Sequence, residues 1–202
     1  MKAITLATAA GRPMATSRLP RRARVTYRRV TIADLPLLVD HRHRMWSDIA
    51  TRSEKEITEH DARFRRWARS LLASGELVGW VAESPNGSAV GSGCVWFHPD
   101  QPRPGIPSLV SPYVLSMYTE PAWRGRGIAT RIVRELVRDC RRAGYPNVEL
   151  HASRFGRTIY GRLGFERTWE MRYWIDRRVP RRQALALARA EGRRKKGLDR
   201  AR

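Results

Sequence analysis

Arg124-Gly125-Arg126-Gly127-Ile128-Ala129 lies between an apolar, strand-like run and a long amphipathic helix, and that setting decides how the chain folds. Upstream, Tyr113 to Thr119 has the β-branched and aromatic content of a strand, which Pro121 ends by removing a backbone donor. Downstream, Ile128, Ile132, Val133, Leu136, Val137 and Cys140 recur at helical spacing, with arginines between them and Gly144 as the stop. The glycines therefore fall at a strand-to-helix turn. There Gly125 and Gly127 tolerate unusual dihedrals and let a ligand approach the backbone, while the first N–H groups of the helix face whatever occupies the turn. With the positive end of the helix dipole and Arg124 and Arg126, this makes a seat for a pyrophosphate; the alternative is a plain glycine turn with solvated arginines.

The stretch lacks the Gly-Lys-Ser/Thr of a P-loop, and too little βαβ sequence follows it for a dinucleotide-binding fold. It resembles motif A of the GNAT superfamily of acetyl-CoA-dependent N-acetyltransferases, Gln/Arg-x-x-Gly-x-Gly/Ala, matched by Arg124, Gly127 and Ala129. A second segment at the family's distance, Val148 to Ser153 followed by Arg157 to Phe165, resembles motif B: a strand, a helix carrying Tyr160, then Gly164-Phe165 opening another strand. The resemblance implies an α/β fold with a mixed, mostly antiparallel central sheet flanked by helices and a splayed strand pair at the acetyl-CoA site. It is close over residues 113 to 175 and extends back to Val25.

The remaining sequence agrees with that order of elements. Val25 to Val30 reads as a first strand, Thr31 with Asp34 caps a helix through Trp46, and Ser53 with Glu56 is a capping box for a second helix with Phe64, Trp67, Ala68, Leu71 and Leu72 on one face. Leu77 to Ser84 and Ser88 to Phe97 are strands flanking the turn Pro85-Asn86-Gly87, and Pro99 to Pro112 reads as a loop. From Phe165 to Ile175 apolar and polar residues alternate, so the core is expected to end on an extended strand.

At 202 residues and 42% apolar content, the chain supports one sizeable core. Charge is uneven: residues 1 to 24 carry six Lys/Arg and no acid, and residues 177 to 202 carry eleven Lys/Arg against Glu191 and Asp199, so the ends hold most of the formal +21. The expected organisation is a basic N-terminal extension over 1–24, a catalytic domain over 25–176 and a basic tail over 177–202, with Gln183 to Ala190 as a short helix. Such ends suit weak contact with nucleic acid or other polyanions. Two cysteines fit a reducing cytoplasm, and no apolar run is long enough to cross a membrane.

Acetyl transfer from a thioester to an amine needs a rigidly held donor, a neutral amine, a polarised carbonyl and a proton for the departing thiolate. The resemblance places Met117, Tyr118 and Thr119 along the pantetheine arm, with the Met117 N–H as oxyanion donor. The same resemblance places Arg124, Gly125, Arg126, Gly127, Ile128, Ala129 and Thr130 around the pyrophosphate, and Ser153 where relatives often have an asparagine beside the pantetheine. Tyr160 matches the family's general acid, and an ordinary phenol is protonated at neutral pH. The glutamate base of some relatives has no counterpart, because Tyr113 stands there; His151 is the candidate base, with Glu83, His98, Glu120 and a water chain as alternatives. Trp46, Trp96, Trp169 and Trp174 fall on elements that wall the family's acceptor site. His41 and His43 point apart on a helix, no Cys/His cluster has ligand spacing, and no metal is expected. The expected co-substrate is acetyl-CoA and the expected partner an amine, small molecule or protein, with a homodimer left open; a non-catalytic acetyl-CoA-binding regulator and a nucleic-acid-associated protein are the competing readings.

Overall fold

In the computed structural model, residues 24–49, 52–102, 104, 108–171, 173 and 175 are described. The N-terminal extension up to residue 23, the tail from residue 177 with its expected helix, and Trp174 lie outside them. The chain runs β1 (Thr26–Arg29), α1 (Leu35–Ile49), α2 (Glu54–Ser74), β2 (Leu77–Glu83), β3 (Ala89–Pro99), β4 (Val110–Thr119), α3 (Ile128–Arg142), β5 (Glu149–Leu150) and α4 (Arg157–Arg162), with short 3-10 turns before α1 and after β4. The strands form one sheet in chain order; β1 to β4 are antiparallel, and β5 joins β4 in parallel.

Local signals act where the sequence puts them. Asp34 accepts from the Thr31 N–H (2.8 Å), and Glu56 accepts from the Ser53 N–H (2.8 Å) while the Ser53 hydroxyl accepts from the Glu56 N–H (3.3 Å). Gly75 closes α2 in the left-handed region. Each sheet face has its own core. Val95 and Val114 pack with Ile128, Ile132, Leu136 and Cys140 of α3, whereas Cys94 and Leu77 pack with Leu35, Leu38, Phe64 and Ala68 of α1 and α2. Buried Asp139 of α3 accepts from Arg29 (2.7 Å) and the Trp80 indole (2.8 Å), fixing that helix across β1 and β2.

Two expectations need correction. The interval from Pro99 to Pro112 is not all loop: β4 already starts at Val110 and pairs back to Pro99, and Pro112 fits because β5 begins pairing only at Tyr113. The expected strand from Phe165 to Ile175 does not form among the described residues. Phe165 packs edge-on against Tyr160 (5.8 Å), but Trp169, Met171 and Ile175 are 98%, 94% and 94% exposed. Alternation makes a segment fit for a sheet edge; pairing also needs a partner backbone, and β5 offers two residues. Trp169 therefore walls no pocket.

Candidate active site

The site grows from an irregularity in β4. Ser92 of β3 pairs with Tyr118 and Cys94 with Leu115, so Gly93 alone faces both Ser116 and Met117, which is a β-bulge. Ser116 takes φ of 52°, a left-handed conformation that costs a serine about 1 kcal/mol or more. Met117 lies over Gly93, where a Cβ would come 2.1 Å from Met117 Sδ and oblige that side chain to move. On its other side β4 pairs with β5 only at Tyr113 with Glu149 and Val114 with Leu150. Beyond that ladder β5 ends at Leu150, so Met117, Tyr118 and Thr119 run on past it along an edge of β4 that β5 does not pair. Thr119 Oγ1 is buried without a hydrogen-bond partner among the described residues.

At the end of β4 the chain turns through Gly125 (φ 74°) and Gly127 (φ 79°), and no atom lies within 4 Å of where a Cβ would project from either. Gly127 is the N-cap of α3; its carbonyl accepts from the Arg131 N–H (2.9 Å), and no side chain caps the helix. The first-turn N–H groups, at Ile128, Ala129 and Thr130, thus lack a capping side chain, while the Ile128 side chain is itself buried in the core. Arg124 is placed differently from a free phosphate ligand: its Nε donates to the Thr119 carbonyl (2.9 Å) and its Nη2 pairs with Asp48 of α1. Arg126 lies over the Trp123 ring, 5.0 Å from its centre.

Tyr160, on α4, packs under Gly156, where a Cβ would come within 2.5 Å of its ring. Burial pushes its phenol above the ordinary value, and its hydroxyl has no hydrogen-bond partner among the described residues. His151 is exposed and follows the last β4–β5 pair by one residue, at the point where the ladder ends. Ser153 is occupied locally: its hydroxyl accepts from the Gly156 N–H (3.3 Å) and its carbonyl from the Arg157 N–H (3.2 Å), starting α4. The lesser base candidates are engaged as well. Glu83 accepts from Arg28 (2.7 Å), Glu120 from Arg44 (2.7 Å) and from Tyr118 (3.3 Å), and the His98 ring lies against Trp96 (5.0 Å).

A cavity of about 440 Å³ opens between α1, α2 and the bulge, with Leu115 and Ser116 among its lining residues. Trp46 and Trp96 reach it as expected, but Phe64, Trp67, Arg42 and Tyr113 complete it. Sequence patterning assigned Phe64 and Trp67 to an apolar helix face and stopped there. The paired glycines Gly91 and Gly93 inside an apolar strand were the readable signal for the bulge. No helix among the described residues is long and apolar enough to cross a membrane, and no group of three or more His, Cys, Asp or Glu among them could hold a metal ion.

Residues 76–167 match the family model of the acetyltransferase (GNAT) domain. Among solved structures, the chain is similar to a GCN5-related N-acetyltransferase from Ralstonia eutropha JMP134, with 28% identity over 75% of this chain and 98% of that one and a TM-score of 0.70. A predicted acetyltransferase from Clostridium acetobutylicum, crystallised with acetyl-CoA, is 30% identical over 75% of this chain and 96% of its own, with a TM-score of 0.69. An aminoglycoside antibiotic 6'-N-acetyltransferase from Acinetobacter haemolyticus shares the fold at 18% identity, over 75% of this chain and 98% of that one, with a TM-score of 0.58. No curated protein sequence matches.

Proposed function

The chain belongs to the GNAT family of acetyltransferases, and on that premise we propose that it moves an acetyl group from acetyl-CoA to a primary amine by direct attack in a ternary complex. The observation that carries this reading is the continuity of three features along one strand: the end of the β4–β5 ladder at Val114, the bulge at Ser116 and Met117, and the uncapped start of α3 behind Gly125 and Gly127.

The residues present fit the donor. Positive φ and empty space at Gly125 and Gly127 admit a pyrophosphate against the backbone, where the N–H groups of Ile128, Ala129 and Thr130 meet it with the helix dipole. Arg126 adds charge at the rim. Arg124 acts one step back, holding the Thr119 carbonyl and so the geometry between β4 and the turn. Met117, Tyr118 and Thr119 line the pantetheine arm, with Ser153, between β5 and α4, beside it.

At the reacting end the Met117 N–H donates to the carbonyl oxygen as negative charge develops there. The neutral amine forms the new C–N bond, the C–S bond breaks, and the Tyr160 hydroxyl gives its proton to the leaving sulfur. Burial of Tyr160 supports this role by keeping the phenol protonated at neutral pH. His151 takes the surplus proton from the nitrogen and releases it to bulk water, as its exposed position just past β5 supports, and the Tyr160 phenolate takes a proton back from solvent to close the cycle. Direct attack is favoured over an acyl-enzyme because burial pushes the Cys94 thiol up to about 12 and the Cys140 thiol up to about 11, so neither is a thiolate at neutral pH. An amine panel tests the proposal: free thiol released from acetyl-CoA, matched by an acetylated amine in the mass spectrum, is expected, and donor binding without product from any amine would leave a regulator.

A further inference from the structure

The cavity beside the bulge carries its own chemistry. Arg42 projects from α1 with its guanidinium 4.5 Å from the centre of the Phe64 ring and 5.8 Å from that of Trp46. Its Nη1 is buried with no hydrogen-bond partner among the described residues. Asp61 acts on it electrostatically without hydrogen-bonding it: the His43 ring pairs with Asp61 Oδ2 at 2.6 Å, and Oδ1 is buried with no hydrogen-bond partner among the described residues. Arg42 is therefore a half-buried cation without a hydrogen-bonded anion, and burial lowers its pKa accordingly.

Around it the walls are aromatic. Trp67 and Trp96 meet edge to face at 5.3 Å, Phe64 and Trp67 lie tilted at 5.6 Å, and the Trp96 indole N–H is buried without an acceptor among the described residues. Arg63 and His60 stand exposed at the rim, and no acidic side chain among the described residues lines the cavity. Its volume, about 440 Å³, suits a small ligand. The lining residues Leu115 and Ser116 immediately precede Met117, where acetyl transfer is proposed.

From this juxtaposition, and resting on the acetyl-transfer reading above, we infer that the acceptor is a small primary amine bearing both a carboxylate and an aromatic body, an aromatic α-amino acid in its simplest form. The carboxylate pairs with Arg42, the ring lies among Trp67, Trp96 and Phe64, and the amine is directed to the bulge. A guanidinium held by two rings is a fixed cation that a carboxylate complements. Polycationic acceptors are disfavoured, because each would bring added positive charge against Arg42 and Arg63.

The test compares L-tryptophan and L-phenylalanine with tryptamine and phenethylamine, which lack only the carboxylate, by thiol release at saturating acetyl-CoA. Wild type, Arg42→Gln and Arg42→Lys are used, with coenzyme A affinity as the control for folding. A second readout needs no chemistry: calorimetric titration of N-acetyl-L-tryptophan into the same proteins. The amino acids are expected to exceed their decarboxylated counterparts in kcat/KM by roughly tenfold or more, a preference that Arg42→Gln erases and Arg42→Lys only partly retains. N-acetyl-L-tryptophan should bind Arg42→Gln roughly tenfold more weakly or worse, with coenzyme A affinity unchanged. Equal or better turnover of the decarboxylated amines, or N-acetyl-L-tryptophan binding that is absent or indifferent to Arg42, overturns the inference. Arg42-dependent binding with no thiol release from any amine upholds the carboxylate pocket and overturns acetyl transfer instead.

Discussion

His41 links α1 to the strand that forms the site, and its burial makes stability depend on acid pH in a calculable way. The ring is 1% exposed, its Nδ1 lies 2.8 Å from the Ser92 hydroxyl, and it packs 4.9 Å from the Tyr118 ring. Glu120 Oε1 is 3.8 Å from Nε2 but is shared with Arg44, while Asp40 and Arg44 act with opposite signs from the same helix. Burial is the largest influence and lowers the imidazole pKa from 6.5 to about 4. The unfolded chain therefore takes up a proton that the fold refuses, so stability is complete above pH 6.5 and is lost as the pH falls from there toward 4. At about 1.4 kcal/mol per unit, the full effect is about 3 kcal/mol. Denaturant unfolding of wild type and His41→Gln at about pH 7 and about pH 4.5 isolates this contribution, since the other titrating groups are common to both. The stability gap between the proteins should shrink by about 2 kcal/mol at the lower pH. A gap that stays constant would show that His41 is protonated in the fold and that the burial argument fails.

Three further perturbations address the chemistry and the bulge. Tyr160→Phe should lower kcat by about 100-fold with coenzyme A affinity unchanged, and wild-type turnover would reduce Tyr160 to packing. His151→Ala should lower kcat by about 100-fold with coenzyme A affinity unchanged, and wild-type turnover would route the amine's proton through water alone. Gly93→Ala should cost about 1–3 kcal/mol in thermal unfolding and depress turnover, because Met117 must leave its place over Gly93; a variant unchanged in both would show that the bulge tolerates a Cβ.

Where a feature depends on a few neighbouring residues, the sequence could be read directly. Thr31 with Asp34, Ser53 with Glu56 and Gly127 before Ile128 each specify a helix start through local hydrogen bonds or dihedrals, and all three helices form there. Features that depend on distant partners were harder. The bulge exists because Gly93 and Met117 meet across two strands, and Arg42 becomes a site residue only when Phe64 and Trp46 close around it. Arg124 reads as a phosphate ligand in the sequence, and its pairing with Asp48 of α1, four elements back along the chain, exists only once the fold brings the two together. The segment from Phe165 to Ile175 shows the opposite error, since its alternation fits a strand but two residues of β5 give it little backbone to join.

The seat for the donor is the claim on which the rest depends, and calorimetric titration of coenzyme A into wild type and Gly127→Val tests it most directly. Valine at φ 79° is strained and its branched side chain enters the space reserved for the pyrophosphate, so circular dichroism and a thermal melt must accompany the titration. Wild type should bind one coenzyme A per chain, and the folded variant should bind at least about tenfold more weakly, the loss of one or more charge-assisted hydrogen bonds. Equal affinity in a folded Gly127→Val would contradict the assignment of the turn and of α3 as the donor site.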